Sequence, residues 1–320
     1  MSKTTVVIPN YNGIKYIEAC LESLRTSTVP VDIIVVDNGS EDGSRELVLE
    51  KFKEVKVIAL RENTGFCHAV NVGIEAASTP YVFLLNNDTT IKEDAIEVLE
   101  KDMEKFEKAF SVQSKMVKMQ NPDEIDSAGD LYCALGWAFA IGKDKKASKY
   151  QGLHRVFSSC GGASIYRKSV LDEIGLFDEN HFAYLEDVDL GYRANIFGYE
   201  NYADMNSLIY HAGSGFSGSR YNEFKVIHSA RNSIYLIYKN MPLLQKIVNL
   251  PFLLLGYFVK WMFFVRKGLG KTYFRGIKDG FSMCHKEECK AHKIKFRFKR
   301  LGRYIIIEFK LIGNMIRRFV

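Results

Sequence analysis

The chain predicts an α/β fold, a mostly parallel sheet flanked by helices, with a helical region appended at its C-terminal end. Three observations carry that expectation. Short β-branched runs, TTVVIP, VDIIVVD, KVIAL and YVFLL, alternate with segments of helical period. Each run holds a continuous apolar stretch rather than an alternating one, as parallel strands covered on both faces do. The turn-forming stretches PNYNG, DNGSEDGS, ENTG and NND each follow a strand, at the sheet edge where open α/β folds bind ligands.

The elements follow in order. After the first strand, Ile14, Ile17, Leu21 and Leu24 mark one face of a helix. FCHAVNVGIEAAS is a helix of small residues, and IKEDAIEVLEKDMEKFEKA an amphipathic one that leads into a strand near SVQSKMV. Residues 120–160 are rich in Gly, Lys and Ser, and are expected to form loops or a mobile flap. GGASIYRKSVLDEIGLFDE reads as strand, helix and turn, YLEDVDLGYR opens a helix that runs to about Tyr199, and SLIYHAG is a further strand. There is no internal repeat.

With 47% hydrophobic and 26% charged residues the 320-residue chain can build a core. Its six cysteines are scattered and no signal peptide precedes VVIP, so free thiols in a reducing cytosol are expected. The net charge of +6 is divided unevenly: residues 241–320 hold 18 Lys and Arg against 4 Asp and Glu, a net of +14, which leaves −8 for residues 1–240. Such a basic end suits an anionic surface. No nucleic-acid-binding motif accompanies it, so lipid headgroups are the expected partner. The 19 residues IVNLPFLLLGYFVKWMFFV, 247–265, are borderline for a span and contain Asn249, Pro251 and Lys260. Helices lying on the membrane surface are favoured over a spanning one, at the cytoplasmic face. An ordinary basic, core-packing subdomain is the alternative. Cys284, His285, Cys289 and His292 do not have the spacing of a common zinc site. Neither GxGxxG nor GxxxxGK[ST] occurs, which removes the main support for dinucleotide oxidoreductase and P-loop readings.

Several positions carry chemistry. Asp37 ends the second strand, where an acid can accept a hydrogen bond from a nucleobase or ribose, although Asp-Asn-Gly is also good turn chemistry. Tyr11 has the flat face on which a base stacks, or packs over the sheet end. Asp88 closes NND after YVFLL, where a hard oxygen can hold a divalent cation or simply shape a turn. Glu186, Asp187 and Asp189 crowd into four positions, which acids at a solvated helix start would explain.

Together these stretches are more specific than any one alone. VVIPNYNG, IIVVDNGSEDGS, ENTGFCHAVNVGI, FLLNND, GGASIYRKSVLDEIGLFDE, YLEDVDLGYR and YHAGSG, in that order over residues 4 to about 230, resemble the family 2 glycosyltransferases with the Rossmann-like GT-A fold. The chain is similar to bacterial rhamnosyltransferase-like members that build surface polysaccharides. The resemblance implies a catalytic domain over 1–235, with a donor half of about 1–115 and an acceptor half of about 116–235, and the basic, apolar residues 236–320 are expected to form a membrane-associating helical region. It implies an inverting, metal-dependent enzyme. A sugar, rhamnose among the candidates, would pass from a dTDP- or UDP-sugar to a hydroxyl of a growing, lipid-linked surface polysaccharide. Asp37, with Pro9, Asn10, Tyr11 and Asn12 beside it, would bind the donor base, and Asn63, Gly65, Asn86 and Asn87 would line the donor pocket. Asp88 matches the last Asp of the Asp-x-Asp metal motif, and Asn86 stands where the first Asp would be. His211 matches a histidine that ligates Mg²⁺ or Mn²⁺ in some members, or is a strand-end histidine bonded to backbone. Asp187 would be the general base, with Glu186 and Asp189 assisting. Phe182, Tyr184 and Trp137 would offer platforms to the acceptor, and Gly161 and Gly162 would let backbone approach it. A non-catalytic sugar-nucleotide-binding or scaffold subunit is the alternative, and the apolar C-terminal helices make a homodimer an expectation.

Overall fold

The computed structural model describes residues 1–213 and 221–319. Strands β1 (Thr4–Asn10), β2 (Val31–Asp37), β3 (Lys56–Ala59) and β4 (Tyr81–Leu85) are linked by α1 (Ile17–Arg25), α2 (Ser44–Lys51) and α3 (Phe66–Ala76). They lie side by side as β3-β2-β1-β4, all parallel. Alternation along each strand sorts its side chains to two faces. Val6, Ile8, Val35, Phe83 and Leu85 pack with α1, while Val7, Ile34, Val36, Val82 and Leu84 pack with α3. Gly73 lets α3 come this close, because a Cβ there would lie 2.2 Å from Val7 Cγ1.

The second half is mixed. After β5 (Thr89–Ile91) and α4 (Ala95–Lys105) come β6 (Ala109–Lys118), β7 (Asn121–Ser127), β8 (Asp130–Tyr132), β9 (Ala138–Ala140), β10 (Leu153–Val156) and β11 (Ala163–Arg167). Then follow α5 (Lys168–Ile174), α6 (Glu186–Phe197) and β12 (Glu200–His211). The sheet continues β4-β11-β6-β12-β10, with β11 antiparallel to both neighbours and β12 parallel to β6. Residues 120–160, expected as loops or a flap, are instead ordered: β7 pairs with β6, and β8 with β9 as a separate hairpin. The segment hides its strands from a pattern search because each is short and carries buried polar residues such as Asp126 and Ser127.

The C-terminal helices are α7 (Glu223–Asn240), α8 (Leu243–Arg266), α9 (Gly270–Met283), α10 (Glu287–Ala291) and α11 (Leu301–Phe319). The expected boundary at 235/236 falls inside α7, a continuous helix that buries Asn232, Tyr235, Lys239 and Asn240. Leu236 of α7 and Tyr304, Ile307 and Leu311 of α11 share a core with Val188, Tyr192 and Ile196 of α6. Residues 247–265 lie within one helix, α8, in spite of Pro251. It is long and apolar enough to cross a membrane, and most of it is exposed. It sits against the body through Gly256, where a Cβ would meet Leu135 O at 2.1 Å, and through Gln245 and Asn249, which donate to Glu308 of α11 at 2.9 Å. Cys284 and Cys289 are buried beside Tyr235 and Met283, and all six cysteines are free.

Candidate active site

The ends of β1, β2 and β4 meet at Asn10. Its Nδ2 donates to Asp37 Oδ1 at 3.1 Å and to Ser44 Oγ at 2.9 Å, while its Oδ1 accepts from Asn87 Nδ2 at 2.8 Å. Asp37 is fully buried, and its Oδ2 accepts from the Ser40 amide at 3.2 Å. Asn12, at φ 49°, accepts from the Glu41 amide. Asn63 Oδ1 accepts from Asn38 Nδ2 at 3.1 Å and from the Gly65 amide at 3.0 Å. Pro9 and Tyr11 are partly buried beside them on the same strand end. The sequence-predicted donor residues thus form a joined polar rim, in which Asp37 also holds the loop that follows it.

Asp88 and His211 come together from β4 and β12. His211 Nε2 lies 3.2 Å from Asp88 Oδ1, and its Nδ1 lies 2.9 Å from Asp126 Oδ2. Asp126 in turn pairs with Lys143. Burial works against charge on His211, but its bonds to Asp126 and Asp88 lift it to about 9. Burial would raise Asp126, yet His211 and Lys143 hold it at about 2. One oxygen and one imidazole nitrogen converging from two strands, with the second ring nitrogen fixed by a carboxylate, suit a divalent cation. His211 is therefore not bonded to backbone through its ring, the bland alternative.

The acid cluster divides into two kinds of group. Glu186 and Asp189 are buried and Asp187 is partly buried, so a solvated helix start does not describe them. Asp189 accepts from Arg193 Nε at 3.0 Å, Lys239 Nζ at 2.8 Å and Asn240 Nδ2 at 2.7 Å. Burial would raise it, but Lys239 and Arg193 keep it at about 2. Asp178 shares Lys239 at 2.7 Å and accepts from Tyr235. Among the described residues, Asp187 has no such cation. Burial pushes its carboxyl upward, countered in part by the amides of Val188 and Gly161 and the Cys160 thiol. Glu186 is pushed further up, by burial and then by Asp187. Its Oε2 is buried without a hydrogen-bond partner among the described residues. A basic, uncompensated carboxyl is what a general base needs.

The loop before α6 is strained. Phe182, Tyr184 and Leu185 all have positive φ, at 63°, 71° and 66°, and such non-glycine conformations persist only where the surroundings hold them. Asn232 of α7 does so: its Nδ2 faces the carbonyls of His181, Ala183 and Tyr184 at 2.9, 2.8 and 2.7 Å. The Phe182 ring lies against Gly65, where a Cβ would approach it to 2.6 Å, and stacks on His228, while Tyr184 meets Phe224 edge-on. Gly162 admits Asn86, whose Nδ2 would be 2.9 Å from a Cβ there, and its carbonyl accepts from the Asn86 amide; Gly161 abuts Phe66. Trp137 is placed elsewhere. Its indole N–H donates to Gly256 O at 3.0 Å and Lys260 lies over its ring, so it seats α8.

Sequence reasoning missed Asp126, Asp130, Asn232 and Lys239. The first two flank Ser-Ala-Gly in the stretch set aside as loop, and the last two lie past the matched motifs.

A model of the family described as glycosyl transferase family 2 matches residues 5–175, more than half of the chain. The N-acetylglucosaminyl-diphospho-decaprenol L-rhamnosyltransferase of Mycobacterium tuberculosis is 25% identical over 234 residues, 64% of this chain and 75% of that protein. The poly-beta-1,6-N-acetyl-D-glucosamine synthase of Staphylococcus epidermidis is 28% identical over 193 residues, 59% of this chain; the chain spans only 45% of that relative's length. In structure, S. aureus TarS 1–349 in complex with UDP-GlcNAc aligns with a TM-score of 0.60 at 18% identity, over 98% of this chain and 89% of that one. GalNAc-T7 with UDP, GalNAc and Mn²⁺ aligns with a TM-score of 0.61 at 17% identity, over 74% and 48%. The strand order, the polar rim and the match along residues 5–175 agree: this chain belongs to the family 2 glycosyl transferases.

Proposed function

We propose that the chain moves a sugar from a nucleotide-diphosphate donor to a hydroxyl of a lipid-linked surface polysaccharide, with inversion, at the cytoplasmic face of the membrane. The observation that carries this reading is the division of the acid cluster: Asp189 is neutralised in an ion network, while Asp187 is bonded to amides and the Cys160 thiol and has no cation beside it among the described residues. Asp187 takes the proton of the acceptor hydroxyl. The freed oxygen bonds to the anomeric carbon from the face opposite the diphosphate, whose bond to that carbon breaks with its electron pair. A hydroxyl is a weak nucleophile at neutral pH, so the base has to lie within hydrogen-bond reach of it. Asp88 and His211 would hold Mg²⁺ or Mn²⁺, which neutralises charge on a leaving diphosphate. Asn10, Asp37, Asn63, Gly65 and Asn87 keep the donor rim in shape, and Phe182 and Tyr184 present apolar faces near the base.

The name of the rhamnosyltransferase relative supports a lipid-diphosphate acceptor, and the fold shared with TarS, solved with UDP-GlcNAc, and with GalNAc-T7, solved with UDP, GalNAc and Mn²⁺, supports a nucleotide-sugar donor and a divalent cation. The C-terminal helices support the membrane. Leu254, Leu255 and Phe258 on α8 and Ile305, Phe309 and Ile316 on α11 are exposed, in a region of net charge +14, the combination of an interfacial helix. The test is calorimetric titration of UDP-, dTDP- and GDP-sugars with Mn²⁺ and again with EDTA. One donor binding only with metal is expected. Binding of none under either condition refutes the proposal.

A further inference from the structure

Asp130 opens β8 and is held by its backbone. Its amide donates to Ser158 O, and its carbonyl accepts from the amides of Phe157 and Ser158. This brings its side chain to Asp187: a carboxylate oxygen of each, with Cys160 Sγ, all lie within 4.8 Å of one another. Glu186 adds a third carboxyl, 8% exposed, whose buried Oε2 has no partner among the described residues. The charged groups that act on Asp130 are Asp187, Asp126 and Lys143, and Lys143 is committed to Asp126. Those on Asp187 are Glu186 and Asp130 together with the Cys160 thiol. Two partly buried carboxyls whose oxygens lie within 4.8 Å of each other, with no cation paired to either among the described residues, cannot both ionise cheaply, so the pair retains a proton.

We propose that Asp130 is a positioning residue that shares one proton with Asp187, so that Asp187 is the ionised member when the acceptor hydroxyl arrives. The assignment of Asp187 as base belongs to the reading above and the proposal rests on it. In the transfer step Asp187 gains the hydroxyl proton, the acceptor oxygen bonds to the anomeric carbon and the diphosphate departs with the electron pair. Asp130 keeps its own proton throughout. Once Asp130 also ionises, at higher pH, a second negative charge beside Asp187 disorders the pair and repels the incoming oxygen.

Two measurements on the full chain test this. The first needs no substrate. A carboxyl whose folded value lies above its unfolded one stabilises the fold at low pH and loses that contribution as pH rises. The Tm advantage of Asp130→Asn over wild type is therefore expected to grow between about pH 4 and 8. A difference that does not change with pH overturns the proposal. The second is the pH profile of kcat/KM, with the donor found by calorimetry. Asp130→Asn is expected to lose the alkaline limb and keep the acid limb, and Asp130→Ser, a second variant in case the first folds poorly, to do the same. Cys160→Ala is expected to keep the alkaline limb, and its loss there would assign that limb to the thiol and overturn the proposal. A pH-dependent Tm gain with no transfer from any donor would keep the proton-sharing pair and sink the transferase reading; transfer with a flat Tm difference would do the reverse.

Discussion

Lys239→Met tests the claim that Asp189 is structural. Lys239 Nζ bonds Asp178 Oδ2 at 2.7 Å and Asp189 Oδ2 at 2.8 Å, and all three side chains are at most 2% exposed. Methionine has nearly the same volume, so the change removes the charge and spares the packing. Taking one partner from a buried ion pair costs about 3–5 kcal/mol, because the remaining charge is left uncompensated. Here Asp189 keeps Arg193 and Asn240, and Asp178 keeps Tyr235, which places the expected loss at the lower end, about 3 kcal/mol. At a urea slope of about 3 kcal/mol/M the midpoint falls by about 1 M. The pH dependence has a definite sign. Asp189 is held at about 2, below the unfolded value of about 3.9, so its contribution is complete above the unfolded value and lost as pH falls through the folded one. The gap between wild type and variant therefore narrows toward about pH 2. Urea unfolding at pH 7 and at pH 3 measures both. A loss under about 1 kcal/mol at pH 7, or a gap that widens on acidification, would refute the network as drawn.

Other expected outcomes follow from the same geometry. Asn232→Ala removes the donor from three carbonyls of the strained loop; it is expected to lower stability by about 2–4 kcal/mol and to reduce kcat while leaving donor affinity unchanged, a split that steady-state kinetics beside calorimetry will show. Asp126→Ala frees the second ring nitrogen of His211 and is expected to weaken Mn²⁺ binding about 10–100-fold, as read by titrating Mn²⁺ at saturating donor. Phe258→Glu with Phe309→Glu, both at exposed positions, is expected to abolish flotation with anionic vesicles and to leave donor binding intact; unchanged flotation would remove α8 and α11 from the membrane surface.

Much of this was legible in local strings. The strands of the donor half announce themselves because β-branched runs end in turn residues, and every such turn lands on the rim built around Asn10. Asp88, Asp187 and His211, the positions proposed for the metal and the base, also stand in local strings, since each closes or follows a short motif. The supporting residues do not. Asp126 is 85 positions from His211, and Lys239 is 50 from Asp189; no local pattern relates residues so far apart. The division of labour between Asp187 and Asp189 was hidden for the same reason. Both occupy the first turn of α6, and only the arrival of α7 separates a neutralised carboxylate from a basic one. The contact of Trp137 with α8 was hidden likewise, since its indole N–H donates to the carbonyl of a residue 119 positions away.

Helix α7 has a practical consequence for anyone cutting the protein. It begins in the catalytic half, clamps the loop through Asn232 and ends with Lys239 and Asn240 inside the body. A truncation at 235, the boundary that composition suggests, would strip Asp189 of two of its three partners and leave Arg193 alone to face it. What looks like a detachable anchor is part of the scaffold. A shortened version designed for solubility is expected to aggregate, and the exposed apolar surface of the C-terminal helices and the acid cluster can only be inherited as one piece.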